Sequence, residues 1–163
     1  MPLCFVSIGS NIERERNIGG ALRALRVHFG PLLISAVYET RAVGFEGAPF
    51  YNLVVAFASH ESARQTAAVL TNIEYAHGRT RDSARFGPRT LDLDLLCYGE
   101  SVVAEEGLKL PRLGIEKYAF VLEPLAEIAP DLRHAETGRC YSELWKEFSG
   151  ECTATKPRLD VDN

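Results

Sequence analysis

The chain has 163 residues, which suits one compact domain, and its 46% hydrophobic and 25% charged content excludes disorder of the whole chain. The net charge of -4 gives no global attraction for nucleic acid or an anionic membrane, so any anion site has to be a local cluster. The opening MPLCFVSIG lacks the basic segment and long apolar core of a secretory signal. No run approaches the ~18 apolar residues of a membrane span. Cysteines occur at 4, 97, 140 and 152 without a CxxC pair, and histidines at 28, 60, 77 and 134 without HExxH spacing, so a zinc site is not expected. Cys4 and Cys97 sit in apolar runs and read as buried thiols, which fits a reducing cytoplasm.

Leu3 to Gly9 is an apolar run ending in Gly-Ser-Asn and predicts a core strand. Ile18, Leu22, Leu25 and Phe29 then mark one face of a helix, with Arg14, Arg16, Arg23 and Arg26 mostly elsewhere on it; Gly30-Pro31 ends it. Leu32 to Glu39 predicts a second strand. Residues 40 to 49, TRAVGFEGAP, form a glycine- and proline-punctuated loop. Phe50 to Ala58 predicts a third strand. Residues 62 to 77 predict a second helix with Val69, Ile73 and Ala76 on one face. An arginine-rich loop fills 78 to 90, and Leu91 to Tyr98 predicts a fourth strand. Val102-Val103 and Leu108 to Leu110 pair as a small hairpin, and residues 116–128 and 141–148 read as further helices.

The order β-α-β, β-α-β predicts an α+β fold, a ferredoxin-like double βαβ with a mainly antiparallel sheet covered by helices on one face. A doubly wound parallel sheet is the alternative; the helix-free connection between strands two and three argues against it. One domain is expected over 1–149, with a polar, aperiodic tail at 150–163.

The fourth strand, LDLDLLCY, carries the chemistry. Alternation puts Asp92, Asp94 and Leu96 on one face, and Leu91, Leu93, Leu95 and Cys97 on the other. The two carboxylates start about 7 Å apart, at a rise of about 3.3 Å per residue, and their tips can converge. Hard oxygen ligands at that spacing suit Mg²⁺ with substrate phosphates. Two acids on the solvent face of a strand are the ordinary alternative. The preceding RTRDSARFGPR shifts the balance, because Arg79, Arg81, Arg85 and Arg89 face only one acid, Asp82. A metal-type acid pair beside an anion-type arginine cluster is the pattern of phosphoryl transfer. Glu74, on the second helix, either anchors an arginine, helps a nucleotide or is a plain surface acid. On the third strand Phe50 and Asn52 share a face, an aromatic plus an amide for a flat heterocycle. An edge-strand Asn in turn contacts is the alternative there. No GxxxxGK[ST] loop is present.

GPRTLDLDLL at 87–96 resembles the signature of the 6-hydroxymethyl-7,8-dihydropterin pyrophosphokinase family of folate biosynthesis. IGSN (8–11), YET (38–40), FYN (50–52), GRTR (78–81) and FVLEPLAEIAPDL (120–132) extend the resemblance over about residues 3 to 148. It implies transfer of pyrophosphate from ATP to the pterin hydroxymethyl group, giving AMP, with two Mg²⁺ ions bridging the ATP phosphates. Asp92 and Asp94 match metal ligands, and Arg79, Arg81 and Arg89 match arginines near the phosphates or catalytic loop. Arg85 and Phe86 match the closing loop, and Glu74 a position beside the nucleotide. Thr40, Val43, Asn52 and Phe120 match the pterin pocket, with Phe50 at an aromatic position; Gly44 and Gly47 lie in a loop closing over substrate. The resemblance implies ATP and the pterin as partners, no nucleic acid, no membrane and a monomer.

The sequence departs from the family at three places. Pro111-Arg112-Leu113 stands where the family has Pro-His-Tyr, Tyr118 where it has an arginine, and Arg41 where it has a proline. Arg112 and Lys117 are then the expected replacement charges on the ATP side. Two alternatives follow, a divergent relative acting on another pterin-like alcohol and a non-catalytic nucleotide- or RNA-binding module. The acidic net charge and the aspartate pair argue against the latter.

Overall fold

A computed structural model describes residues 1–41, 47–78 and 91–150. The main sheet contains β1 (Leu3–Ser10), β2 (Leu33–Ile34), β3 (Tyr38–Thr40), β4 (Phe50–Ala58) and β5 (Asp92–Tyr98). Its order is β2-β4-β1-β5, with β3 also on β4 and every pairing antiparallel. Helices α1 (Arg14–Phe29) and α2 (Ala63–Ala76) are the two crossovers. Each connects strands that lie one strand apart, which is the split βαβ arrangement expected from the sequence. A hairpin of β6 (Val103–Glu105) and β7 (Leu108–Leu110) follows, then a 3-10 turn Ile115–Lys117, α3 (Ala119–Ile128) and α4 (Tyr141–Lys146).

The sheet is covered on both faces, not on one. Ile18, Ala21, Leu22 and Leu25 of α1 and Leu70 and Ile73 of α2 pack on Cys4, Val6, Ile8, Leu53, Val55, Leu91, Leu93 and Leu95. Phe29 stacks on Phe57 with centroids 4.1 Å apart. Each such fully buried aliphatic side chain contributes roughly 1.5–3 kcal/mol. On the other face, Leu122 and Leu125 of α3 and Tyr141 of α4 cover Phe5, Val54, Ala56, Leu96 and Cys97. Both faces of β1 and β4 are apolar, so a one-sided cover would leave Phe5, Val54 and Ala56 in water.

Three local features differ from the sequence reading. The second strand is interrupted. At the break Ser35 N donates to Val54 O and Ser35 Oγ accepts from Val54 N, each at 2.9 Å, while Glu127 of α3 accepts from Ala36 N at 2.9 Å and Tyr38 Oη at 2.6 Å. A serine hydroxyl and a helix carboxylate thus replace ladder partners that a continuous strand would have used. In β5, Val6 faces Leu95 while Phe5 faces Cys97. The extra residue in this bulge turns Cys97 onto the same face as Leu96, away from the face of Leu91, Leu93 and Leu95. On α2 the buried set is Ala63, Thr66, Leu70, Ile73 and Glu74, with Ala76 exposed. Thr66 Oγ1 and Ser59 Oγ share a hydrogen bond of 2.9 Å, and Glu74 also finds a partner, so polar residues occupy core-facing positions. A reciprocal capping box of Ser62 and Gln65 starts this helix.

Candidate active site

Strand alternation and antiparallel register build one cross-strand row on the α3 side of the sheet. Asp92 lies opposite Gly9, Gly9 opposite Asn52, and Asn52 opposite Tyr38. Asp94 is opposite Ser7, one step along. Carboxylates and amide therefore stand two strands apart, about 10 Å at an interstrand spacing of about 4.8 Å. Between them Gly9 contributes no side chain. A Cβ there would sit 3.0 Å from Asn52 Oδ1, so any other residue would press on the amide. The sequence signal for this role is the glycine inside the strand segment IGSN.

Asn52 is not an edge residue. β4 is an interior strand, and Asn52 is buried with its Nδ2 donating to Thr40 Oγ1 at 2.7 Å. Thr40 is buried too, and Phe50, its direct cross-strand neighbour, is half-buried. The structure therefore brings Thr40, Phe50 and Asn52 together. Phe120 sits in the first turn of α3, half-buried, with its ring 5.4 Å from that of Tyr118.

On the carboxylate side, Asp92 and Asp94 are both partly exposed. Arg112 Nη1 lies 3.5 Å from Asp94 Oδ1. Its backbone N–H donates to Leu96 O at 2.8 Å, which holds residue 112 beside β5. Arg112 thus reaches one member of the acid pair. Lys117 is exposed in the 3-10 turn.

Glu74 has a different setting from a plain surface acid. It is 5% exposed, and its Oε2 accepts from Leu93 N at 2.9 Å, between the two aspartates. A helix carboxylate thereby fixes the backbone that presents the acid pair. Val43, Arg79, Arg81, Arg85, Phe86 and Arg89, together with Gly44 and the segment 151–163, lie outside the described residues.

Among the described residues no group of three or more His, Cys, Asp or Glu forms a metal cluster. Two accessible carboxylates on one face, with no thiolate or imidazole joining them, fit Mg²⁺ brought in with phosphate oxygens and do not fit zinc. Among the described residues no helix is long and apolar enough to cross a membrane.

The sequence matches the model of the 7,8-dihydro-6-hydroxymethylpterin-pyrophosphokinase family over residues 5–130. It is 34% identical over 156 residues to the 2-amino-4-hydroxy-6-hydroxymethyldihydropteridine pyrophosphokinase of Bacillus subtilis, covering 91% of this chain and 93% of that protein. It is 40% identical over 144 residues to the Pseudomonas aeruginosa protein of the same name, covering 86% and 88%. A crystal structure of wild-type Plasmodium falciparum HPPK-DHPS shares the fold, with a TM-score of 0.71 and 12% identity over 90% of this chain; the chain spans 44% of that longer protein. With more than half its length matched by the family and relatives of this identity matched nearly end to end, the chain belongs to the 7,8-dihydro-6-hydroxymethylpterin-pyrophosphokinase family.

Proposed function

We propose that the Asp92–Gly9–Asn52 row is the floor on which this pyrophosphokinase of folate biosynthesis transfers pyrophosphate from ATP to the hydroxymethyl group of 6-hydroxymethyl-7,8-dihydropterin, releasing AMP. The observation that carries the assignment is the register, which puts a metal-type acid pair and a ring-binding amide on one face, separated by one side-chain-free strand position.

Thr40, Val43, Phe50, Asn52 and Phe120 hold the pterin. Asn52 offers an amide to the ring edge, its conformation set by Thr40, and the aromatics take the ring faces. The hydroxymethyl group is then directed across Gly9 toward Asp92 and Asp94. These two carboxylates are the ligands for Mg²⁺, two ions with ATP in this reading. When bound, the metal neutralises phosphate charge and aligns the β-phosphorus with the attacking oxygen. The pterin hydroxyl oxygen forms a bond to the β-phosphorus and gives up its proton to solvent, the bond from that phosphorus to the oxygen it shares with the α-phosphate breaks, and AMP carries that oxygen away. Arg79, Arg81, Arg85, Arg89, Arg112 and Lys117 supply positive charge to the triphosphate, Glu74 and Phe86 frame the nucleotide side, and Glu74 also holds the aspartate strand. With Pro111-Arg112-Leu113 where the family pattern is Pro-His-Tyr, one cation stands 3.5 Å from Asp94, one of the two proposed metal ligands.

One domain over 1–149 acting as a monomer in a reducing cytoplasm completes the reading. The single sheet shared by both apolar clusters supports the one-domain part of that reading. The decisive assay couples AMP release to added pterin, ATP and Mg²⁺. Wild-type protein should release AMP in proportion to pterin consumed, and folded Asp94→Ala should lose at least about a hundredfold in rate, a loss of the size expected for removing transition-state charge stabilisation. Near-normal turnover in that variant sinks the assignment.

A further inference from the structure

The acid pair and the Thr40, Phe50 and Asn52 group lie on one face of the sheet, and a separate set of contacts ties the same strands together on the opposite face. At the end of β1 the chain turns through Glu13, whose φ is 42° and whose carbonyl accepts from Asn17 N at 3.0 Å. Arg14, the next residue and the first of α1, reaches under the sheet. Its Nη1 donates to Glu39 Oε2 at 2.8 Å and to the carbonyl of Pro49 at 3.1 Å, and its guanidinium carbon sits 3.7 Å from the centroid of the Tyr51 ring. Asn11, three residues earlier, donates from Nδ2 to Ala48 O at 3.1 Å.

These partners have a particular place in the strands. Glu39 and Tyr51 are a direct cross-strand pair, so they share a face, and Tyr51 belongs to the α1–α2 core. The residues beside them, Thr40 next to Glu39 and Phe50 and Asn52 either side of Tyr51, turn to the other face, where the ring pocket lies. Holding Glu39, Pro49 and Tyr51 therefore sets the spacing between Thr40, where β3 ends, and Asn52 near the start of β4. The Asn52–Thr40 hydrogen bond depends on that spacing, because it is a diagonal contact between neighbouring pairs. The same Nη1 serves both the carboxylate and the carbonyl while the guanidinium lies over the Tyr51 ring; an ammonium can reach such acceptors but has no planar face to lay on the ring.

We propose that Arg14 is a positioning residue for the heterocycle side of the site, bracing the Thr40, Phe50 and Asn52 edge from the far face of the sheet and thereby setting affinity for the pterin without touching it. The inference rests on the pterin reading of the pocket. It assigns Arg14 no contact with nucleotide or metal, so its signature is selective.

The experiment compares wild type, Arg14→Met and Arg14→Lys. Direct binding of 6-hydroxymethyl-7,8-dihydropterin is measured in the presence of an ATP analogue with a methylene group between the α- and β-phosphates, which cannot transfer pyrophosphate. Binding of that analogue with Mg²⁺ alone is measured in parallel, together with steady-state kinetics. Arg14→Met should weaken pterin binding and raise the pterin KM by roughly tenfold, the scale of losing one ion pair and one cation–π contact that are only partly solvent-exposed. Its nucleotide affinity, and its kcat at saturating pterin, should stay within about twofold of wild type, less than a third of the 1.4 kcal/mol that a tenfold change represents. Arg14→Lys, which keeps the charge but not the planar group over Tyr51, should fall between. Pterin affinity equal to wild type in Arg14→Met overturns the role, as does a parallel loss of nucleotide affinity, which would mark a general structural defect. A wild-type chain that binds nucleotide but no pterin overturns the pocket reading instead, and the inference with it.

Discussion

Arg112 Nη1 stands 3.5 Å from Asp94 Oδ1, so a cation from outside the sheet faces one of the two acids that would hold metal. Both side chains are about half exposed, at 52% and 41%, which places the pair in the class whose net stability contribution is about 0–1 kcal/mol. Its consequence is therefore for charge and not for folding. In the proposed ATP-side role the guanidinium balances Asp94 before Mg-ATP arrives and turns to the triphosphate once it is present.

Arg112→Gln should accordingly leave the thermal midpoint within a few degrees of wild type and weaken binding of the uncleavable ATP analogue several-fold. The loss should shrink as ionic strength rises, because the contact is solvent-accessible. Binding titrations at low and high salt check this. Unchanged nucleotide affinity at low salt would remove Arg112 from the ATP side.

Gly9 offers a second test, this time of the floor. A Cβ would meet Asn52 Oδ1 at 3.0 Å, and Asn52 is buried with Thr40 as its hydrogen-bond partner. Gly9→Ala should thus cost stability on the scale of overpacking, about 1–3 kcal/mol, and should raise the pterin KM more than the ATP KM. Denaturant unfolding and steady-state kinetics measure the two effects separately. Equal KM changes for both substrates would mean that the disturbance is not confined to the amide.

Much of this architecture could be read in the sequence, for identifiable reasons. Strict alternation in LDLDLL placed Asp92 and Asp94 opposite the leucine face, and the 18-22-25 spacing gave the buried face of α1. Alternation failed at Cys97 because register is a property of two strands, and the bulge opposite Phe5 and Val6 cannot be seen from either one alone. The second helical cover was missed because Phe5, Val54 and Ala56 fall at the intervening positions of strands whose first faces were already apolar. The sequence left Glu74 open between an arginine anchor, a nucleotide contact and a plain surface acid, because its hydrogen bond goes to a backbone N–H 19 residues away, a contact no local pattern records. Asn52 was legible as a residue type and not as an interior position, since the sheet order decides that.

Glu74 can be tested through that partner. Its Oε2 accepts from Leu93 N at 2.9 Å while only 5% of the residue is exposed. Glu74→Ala leaves a buried N–H without this acceptor and should cost about 1–3 kcal/mol. Glu74→Gln keeps an oxygen that can accept and should cost less. If the residue serves chiefly to hold the aspartate strand, both variants lose stability in that order, and added Mg-nucleotide recovers midpoint as effectively as in wild type. If it contacts the nucleotide, Glu74→Gln instead loses nucleotide affinity at nearly full stability. Thermal unfolding with and without the uncleavable analogue separates the two outcomes.

The two core thiols predict an alkaline limit to stability. Burial, and secondarily the nearby Cys97, pushes the Cys4 thiol up from 9.0 to about 12. Burial likewise pushes Cys97 up from 9.0 to about 11, partly offset by its hydrogen bond with Tyr141 Oη at 3.5 Å. Both groups are neutral in the folded chain. Below pH 9 they are neutral in the unfolded chain as well, so stability is indifferent to them there. Above pH 9 the unfolded chain releases these protons while the folded chain keeps them, and stability falls as pH rises toward 11 and 12. Each thiol can contribute a slope of up to about 1.4 kcal/mol per pH unit. Urea unfolding from pH 7 to 10.5 should therefore be level at first and then decline, and Cys97→Ala should decline less steeply than wild type. The same protection predicts that iodoacetamide at pH 8 leaves Cys4 and Cys97 unmodified in the folded protein while reaching the partly exposed Cys140, as peptide mapping would reveal. Rapid alkylation of Cys97 under native conditions would show that the bulge and its α4 cover open far more readily than the packing around Tyr141 implies.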